Sequence, residues 1–161
     1  MKFTVPDLKK LSKAVRKLSA RERTAASAML HRRQPDFCEI IDDVGMDPRC
    51  VRAARYCTLI CALAFRQAEE TFGRRLPKFP GYIIKEVMGC MIRGEEAHIG
   101  KRACGYRKRI FRYILVGRYF DEDDTAWLRT MISAFLFIVE KSLWRARHDE
   151  VEDARKRLTG F

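Results

Sequence analysis

The chain of 161 residues is poor in the residues that make loops, with nine Gly and five Pro. Scarce turn formers leave room for long helices and little for the tight hairpins of a β-rich fold. Long apolar runs are missing too. The two longest are Cys57–Phe65 and Met131–Val139. A membrane span needs about 20 such residues, so no transmembrane helix is expected. No apolar core follows Lys2, so no signal peptide is expected either. Six cysteines are present, at 38, 50, 57, 61, 90 and 104, and none forms a CxxC pair. Without an export signal they read as reduced thiols, and the expected location is cytoplasmic. No Gly-x-Ser-x-Gly elbow, P-loop or Gly-x-Gly-x-x-Gly fingerprint occurs. No cofactor is expected.

What is abundant is positive charge. The formal net charge is +12. Residues 1–35 carry +8 and residues 74–118 carry +9, while 36–73 carry −3 and 119–161 carry −2. A surplus of this size favours an acidic protein surface or a polyanion as partner.

Periodicity predicts helices throughout. Leu8, Leu11, Val15 and Leu18 fall at helical spacing after Pro6 and Asp7, with Lys9, Lys10, Lys13, Arg16 and Lys17 on the other side. Ser19-Ala-Arg-Glu22 has the capping-box spacing, so a second helix is expected over 20–33, with Ala25, Ala28 and Met29 inward and Ala26 as a further candidate for that side. Pro35 should end it, and Asp36 should cap a short helix through Asp43 that buries Phe37, Ile40, Ile41 and Val44. Gly45 reads as a helix stop. Asp47 and Pro48 then read as N-cap and first residue of a helix reaching Phe72. That helix has a stripe of Val51, Ala54, Thr58, Cys61, Phe65, Ala68 and Phe72, and is apolar on the opposite side as well at Leu59, Ile60 and Leu63. A helix apolar all round is buried on more than one side.

After Gly73, residues 74–80 read as a loop stiffened by Pro77 and Pro80, and 81–93 as a helix whose Gly89 marks a close helix approach. A further helix is expected over 95–116. The four carboxylates of 121–124 should open a last long helix through Trp127, Met131, Phe135, Ile138 and Leu143. The predicted fold is all-α: a single-domain bundle of six or seven helices over 1–147, two of them central and nearly all apolar. Residues 148–161 form a charged helical extension or tail.

Residues 38–52 read CEIIDDVGMDPRCVR. Glu39, Ile40, Val44, Gly45, Met46 and Val51 fill the places of a pattern that resembles the helix-turn-helix core of LuxR-type and sigma-factor region-4 modules. Leu18–Glu22 resembles the segment that precedes it. The resemblance spans about 18–56, a quarter of the chain. It implies DNA reading by Arg49, Arg52 and Arg55. Three features depart from it: Ile41 stands where a small residue is usual, the second helix runs on well past three turns, and the segment is acidic, where phosphates favour bases.

Two further site readings follow. A basic face of Lys101, Arg102, Lys108, Arg109 and Arg112 on one helix side is a candidate polyanion surface, extended by the N-terminal Lys/Arg helix. Glu95 and His98 have the Glu-x-x-His spacing of a metal pair, but no second copy exists to complete a di-metal bundle site. The expectation is therefore a non-enzymatic helical binding or regulatory protein. It self-associates, because two all-round apolar helices ask for more cover than the chain supplies, and it offers a basic surface to an acidic partner. The alternative is a nucleic-acid-binding protein using 101–118 and the N-terminal arm, with the helix-turn-helix-like stretch at 36–56.

Overall fold

The computed structural model describes residues 7–93 and 120–159. Within them the fold is all-helical, and the six helices pack against one another. They are α1 (Leu8–Lys17), α2 (Ala20–Arg33), α3 (Pro35–Gly45), α4 (Val51–Phe72), α5 (Gly81–Ile92) and α6 (Glu122–Thr159). No described helix is long and apolar enough to cross a membrane.

The α1–α2 corner follows from its caps. Asp7 accepts the amides of Lys9 and Lys10 at 3.0 and 3.3 Å. Ser19 Oγ accepts the Glu22 amide at 3.2 Å, and Glu22 returns the contact from the Ser19 amide at 2.7 Å, the reciprocal box that its spacing predicts. Arg23 donates to the carbonyls of Leu18 and Val15, closing the end of α1. The buried face of α2 differs from expectation in part: it is Ala26 and Leu30, with Met29 half-buried against the core and Ala25 and Ala28 exposed. Alanine is at home on either face of a helix, so a run of alanines gives a poor estimate of direction.

Pro35 starts α3 instead of capping off α2 at a distance. It sits in the first turn, where its missing N–H is no loss, and Gln34 is the single residue between the two helices. Asp36 therefore lies inside α3 and is not its cap. Gly45 is the last residue of α3 and is not left-handed. A Cβ there would lie 3.2 Å from the Ala54 Cβ, so its smallness serves the close approach of α3 to α4. Asp47 and Pro48 do not begin α4. Asp47 instead caps a tight turn, accepting the Arg49 amide at 3.0 Å, and the Cys50 amide donates to the Asp47 carbonyl at 2.8 Å. The regular helix begins at Val51. At its far end Gly73 adopts φ 63°, the left-handed closure.

α4 is the spine. α1, α2, α3 and α6 all pack on it, and Ala53, Ala54, Cys57–Ala62, Ala64, Phe65 and Ala68 are buried. Contacts set the directions. Arg33 at the end of α2 meets Glu69 near the end of α4. Asp124 at the start of α6 lies by Cys50 and Glu150 further on meets Arg74, so α6 runs parallel to α4. The close approach of Gly45 to Ala54 makes α3 antiparallel. Phe37, Phe65, Phe79 and Phe135 cluster with centroids 4.9–6.4 Å apart and join α3, α4, the 73–80 loop and α6. Aromatic pairs at these separations add to the area they bury. α6 is one continuous helix of 38 residues, about 57 Å long, so the charged tail continues it through Thr159. α5 buries Ile83, Ile84, Val87, Met88 and Cys90. The atoms nearest to a Cβ at its Gly89 belong to the Arg93 guanidinium, one turn further along the chain.

Candidate functional site

Three places bring chemistry-bearing side chains together. The first is the tip where α3 turns into α4. Arg49, Arg52 and Arg55 are all exposed there, at the same end of the molecule as the start of α6. Their setting is mixed. Arg49 folds back on Asp47, with Nε 3.2 Å from Oδ1 and Nη2 2.9 Å from Oδ2. The Arg52 guanidinium stands 5.5 Å from the ring centre of Phe120, which packs in turn, tilted, against Tyr56. Carboxylates crowd the same end. Burial first, then Asp121, Asp123 and Asp47, push the Asp124 carboxyl above its ordinary range. Burial first, then Asp47, Asp124 and Asp121, push up the Cys50 thiol. From Cys57 to Ala62 α4 is buried on all sides, so the exposed stretch that carries Arg52 and Arg55 is little more than one turn.

The second place is the outer face of α1 and the start of α2. Lys9, Lys10, Lys13, Lys17 and Arg21 are exposed, and none of the five forms an ion pair with a described residue. Lys9, Lys13 and Lys17 are four residues apart, so they rise about 6 Å each along one ridge. Residues 1–35 contain two acidic side chains, Asp7 and Glu22. Both face helix N-termini, as caps of α1 and α2. The face is fixed in place by Leu8, Leu11 and Val15 beneath it and by the Tyr56 hydroxyl, which donates to Ser12 Oγ at 2.9 Å.

The third was not legible in the sequence. His31 on α2 reaches Asp42 on α3, Nε2 to Oδ2 2.9 Å, with Ser27 one turn before the imidazole. The trio has the composition of a hydrolytic triad, but its polarity is wrong. Nδ1 lies 2.8 Å from the Ser27 carbonyl and only 3.4 Å from its hydroxyl. A ring nitrogen that donates to a carbonyl cannot take the serine proton. The contact joins two helices. No spacing signal could have found it, because Asp42 comes from another helix, eleven residues on.

The remaining candidates divide. Lys101, Arg102, Lys108, Arg109 and Arg112 lie outside the described residues, as do Glu95 and His98. Among the described residues no group of three His, Cys, Asp or Glu side chains could hold a metal. Burial pushes the Cys38 thiol up to about 12, with Asp42 and Cys57 adding to it, and burial pushes Cys61 in the same direction. A thiol held neutral is a poor nucleophile, so these behave as small core side chains. No protein-family model matches the chain, and no curated protein or solved structure is significantly similar to it.

Proposed function

We propose that the protein is a non-enzymatic helical binding protein that presents a basic surface to an acidic partner. The observation that carries this reading is the row of exposed lysines on α1, Lys9, Lys10, Lys13 and Lys17, with no described acid paired to any of them. Charges on a rigid ridge, already ordered by the core beneath, meet a partner with little further loss of freedom. The α3–α4 tip supports DNA reading less well. A phosphate backbone brought to Arg49, Arg52 and Arg55 also meets Asp47, Asp121 and Asp123, and phosphate affinity depends on net positive charge. Nucleic acid remains the second reading, through the same lysines with Lys101, Arg102, Lys108, Arg109 and Arg112.

One titration separates the two. The full chain is measured by fluorescence anisotropy against labelled poly-glutamate and against a 20-base-pair duplex, from low to moderate salt. The expected result is binding to poly-glutamate that weakens with salt and falls roughly tenfold or more in the variant Lys9→Gln/Lys10→Gln/Lys13→Gln/Lys17→Gln. Tighter binding to the duplex, lost when Lys101, Arg102, Lys108, Arg109 and Arg112 are neutralised, would establish the nucleic-acid reading instead. Binding to neither sinks both.

The expected motive for self-association is gone. Met131–Leu136, Ile138 and Val139 of α6 and Cys57–Ala62 of α4 are buried within the single chain. Neither of these two stretches needs a second copy for cover.

A further inference from the structure

A different part of α6 does stand uncovered. The last ion pair or hydrogen bond tying this helix to another element among the described residues is the Glu150–Arg74 pair. Beyond it every described side chain from Glu152 to Thr159 is exposed. Its hydrogen bonds and ion pairs are local: Lys156 Nζ lies 3.9 Å from Glu152 Oε1, and Thr159 Oγ1 donates to the Arg155 carbonyl at 2.8 Å. The helix thus leaves the bundle as an arm of about two turns. Leu158 on this arm is 88% exposed, the most exposed large apolar side chain described, and Ala154 lies one turn before it on the same side.

We infer that this arm pairs antiparallel with the same arm of a second copy. The charge order identifies the occupant. Residues 149–153 carry four carboxylates, Asp149, Glu150, Glu152 and Asp153, and they are followed by three bases, Arg155, Lys156 and Arg157. An antiparallel copy sets the acidic block of each arm against the basic block of the other, across a two-fold axis near Ala154. A parallel copy would set like against like, which is unfavourable. A uniformly acidic or uniformly basic partner would match half of the arm and repel the other half. Leu158 is covered in the same arrangement by the facing arm. An isologous contact of this kind closes on itself as a dimer and does not propagate into a filament. The arms are short, so the dimer belongs to the small, rapidly exchanging class of interface. The inference is independent of the basic face on α1, which stays open in such a dimer.

Sedimentation velocity of the full chain over a wide concentration range tests it. Three variants are compared with the parent: Leu158→Asp, an acidic arm (Arg155→Glu/Lys156→Glu/Arg157→Glu) and a basic arm (Asp149→Lys/Glu152→Lys/Asp153→Lys). Circular dichroism checks that each remains folded, and Glu150 is left in place to keep its contact with Arg74. The expected result is a salt-sensitive dimer in the parent, roughly tenfold or more weaker in each variant alone. Mixing the acidic-arm and basic-arm chains should give a one-to-one heterodimer. A parent that stays monomeric at the highest concentration overturns the inference. So does a dimer that the block changes leave intact, or a mixture that forms no heterodimer.

Discussion

Gln34 and Phe79, 45 residues apart, share a buried hydrogen bond: the Phe79 amide donates to Gln34 Oε1 at 2.8 Å. The other end of the same carboxamide donates to the Pro77 carbonyl at 2.9 Å. Gln34 is 1% exposed, and its own backbone ends α2 and begins α3. Beside it Arg33 and Glu69 grip the two sides of Leu76: Glu69 accepts the Leu76 amide at 2.7 Å and Arg33 donates to the Leu76 carbonyl at 3.0 Å. A loop without regular structure thus has its buried peptide groups satisfied by three side chains.

Gln34→Leu removes both partners of two loop peptide groups. Each group left unsatisfied costs about 1–3 kcal/mol, so the variant should lose about 2–6 kcal/mol. Glu69→Gln should lose less, because the pair with Arg33 is only partly buried. The two changes release the same loop, so their effects should fall short of adding, by about 0.5–1.5 kcal/mol. Urea unfolding of the two single variants and the double variant measures this, and strict additivity would show that the two grips act independently.

The uneven legibility of the chain has physical causes. The capping box at Ser19 and Glu22, the αL closure at Gly73 and the apolar length of α4 are local signals, and the structure has each of them. Asp47-Pro48 carries an equally strong start signal, yet it makes a turn. Its motif of capped amides is the same in a tight turn and in a first helical turn, and only the packing of Ala53 and Ala54 fixes where α4 starts. The loop clamp, the His31–Asp42 contact and the carboxylates around Cys50 all join residues from different elements. A linear pattern contains no information on which helix faces which. The uncovered arm was half visible: its charge blocks are in the sequence, while its lack of cover is a property of the fold.

Two glycines should fail for different reasons. Gly73 has φ 63° and no atom within 4 Å of a Cβ, so Gly73→Ala meets only backbone strain of about 1–2 kcal/mol. Gly73→Asn should cost less, since Asn tolerates the left-handed region. Gly45→Ala meets the Ala54 Cβ at 3.2 Å in ordinary helical backbone. Its loss should be recovered in part by Ala54→Gly beyond what that change does alone. Thermal unfolding of the five variants tests both accounts, and a Gly45→Ala chain with wild-type stability would mean that α3 and α4 can move apart freely.

Ser133 Oγ is buried without a hydrogen-bond partner among the described residues in the middle of α6, where the residue is 0% exposed. A buried hydroxyl that gives up water for nothing is destabilising. Ser133→Ala removes it, adds helix propensity and leaves almost the same volume. The variant should therefore be more stable by about 1 kcal/mol, an increase that chemical denaturation resolves. A loss of stability would show that the hydroxyl is satisfied after all.

The acid response should differ in sign from one carboxylate to another. The Ser19 amide, then the Ser19 hydroxyl, hold the Glu22 carboxyl below its ordinary range, and the Arg49 side chain, then the Arg49 amide, do the same for Asp47. A lowered folded value means stability that is complete above the ordinary value and is lost as pH falls through the lowered one. Asp124 is raised, by burial first and then by Asp121, Asp123 and Asp47, and has the opposite sign. Its charged form is unfavourable in the folded chain, so stability is gained as pH falls through the raised value, and that gain is complete below the ordinary one. Asp124→Asn should accordingly be more stable than the parent at pH 7, and the difference should vanish in acid. Glu22→Gln should flatten the fall in melting temperature between about pH 5 and 2, because it deletes a group that binds its proton only after unfolding. Melting temperatures of the parent and both variants across pH 2–7 measure the slopes. An Asp124→Asn curve parallel to the parent throughout would show that the cluster at the α6 start is screened by water and does not couple to folding.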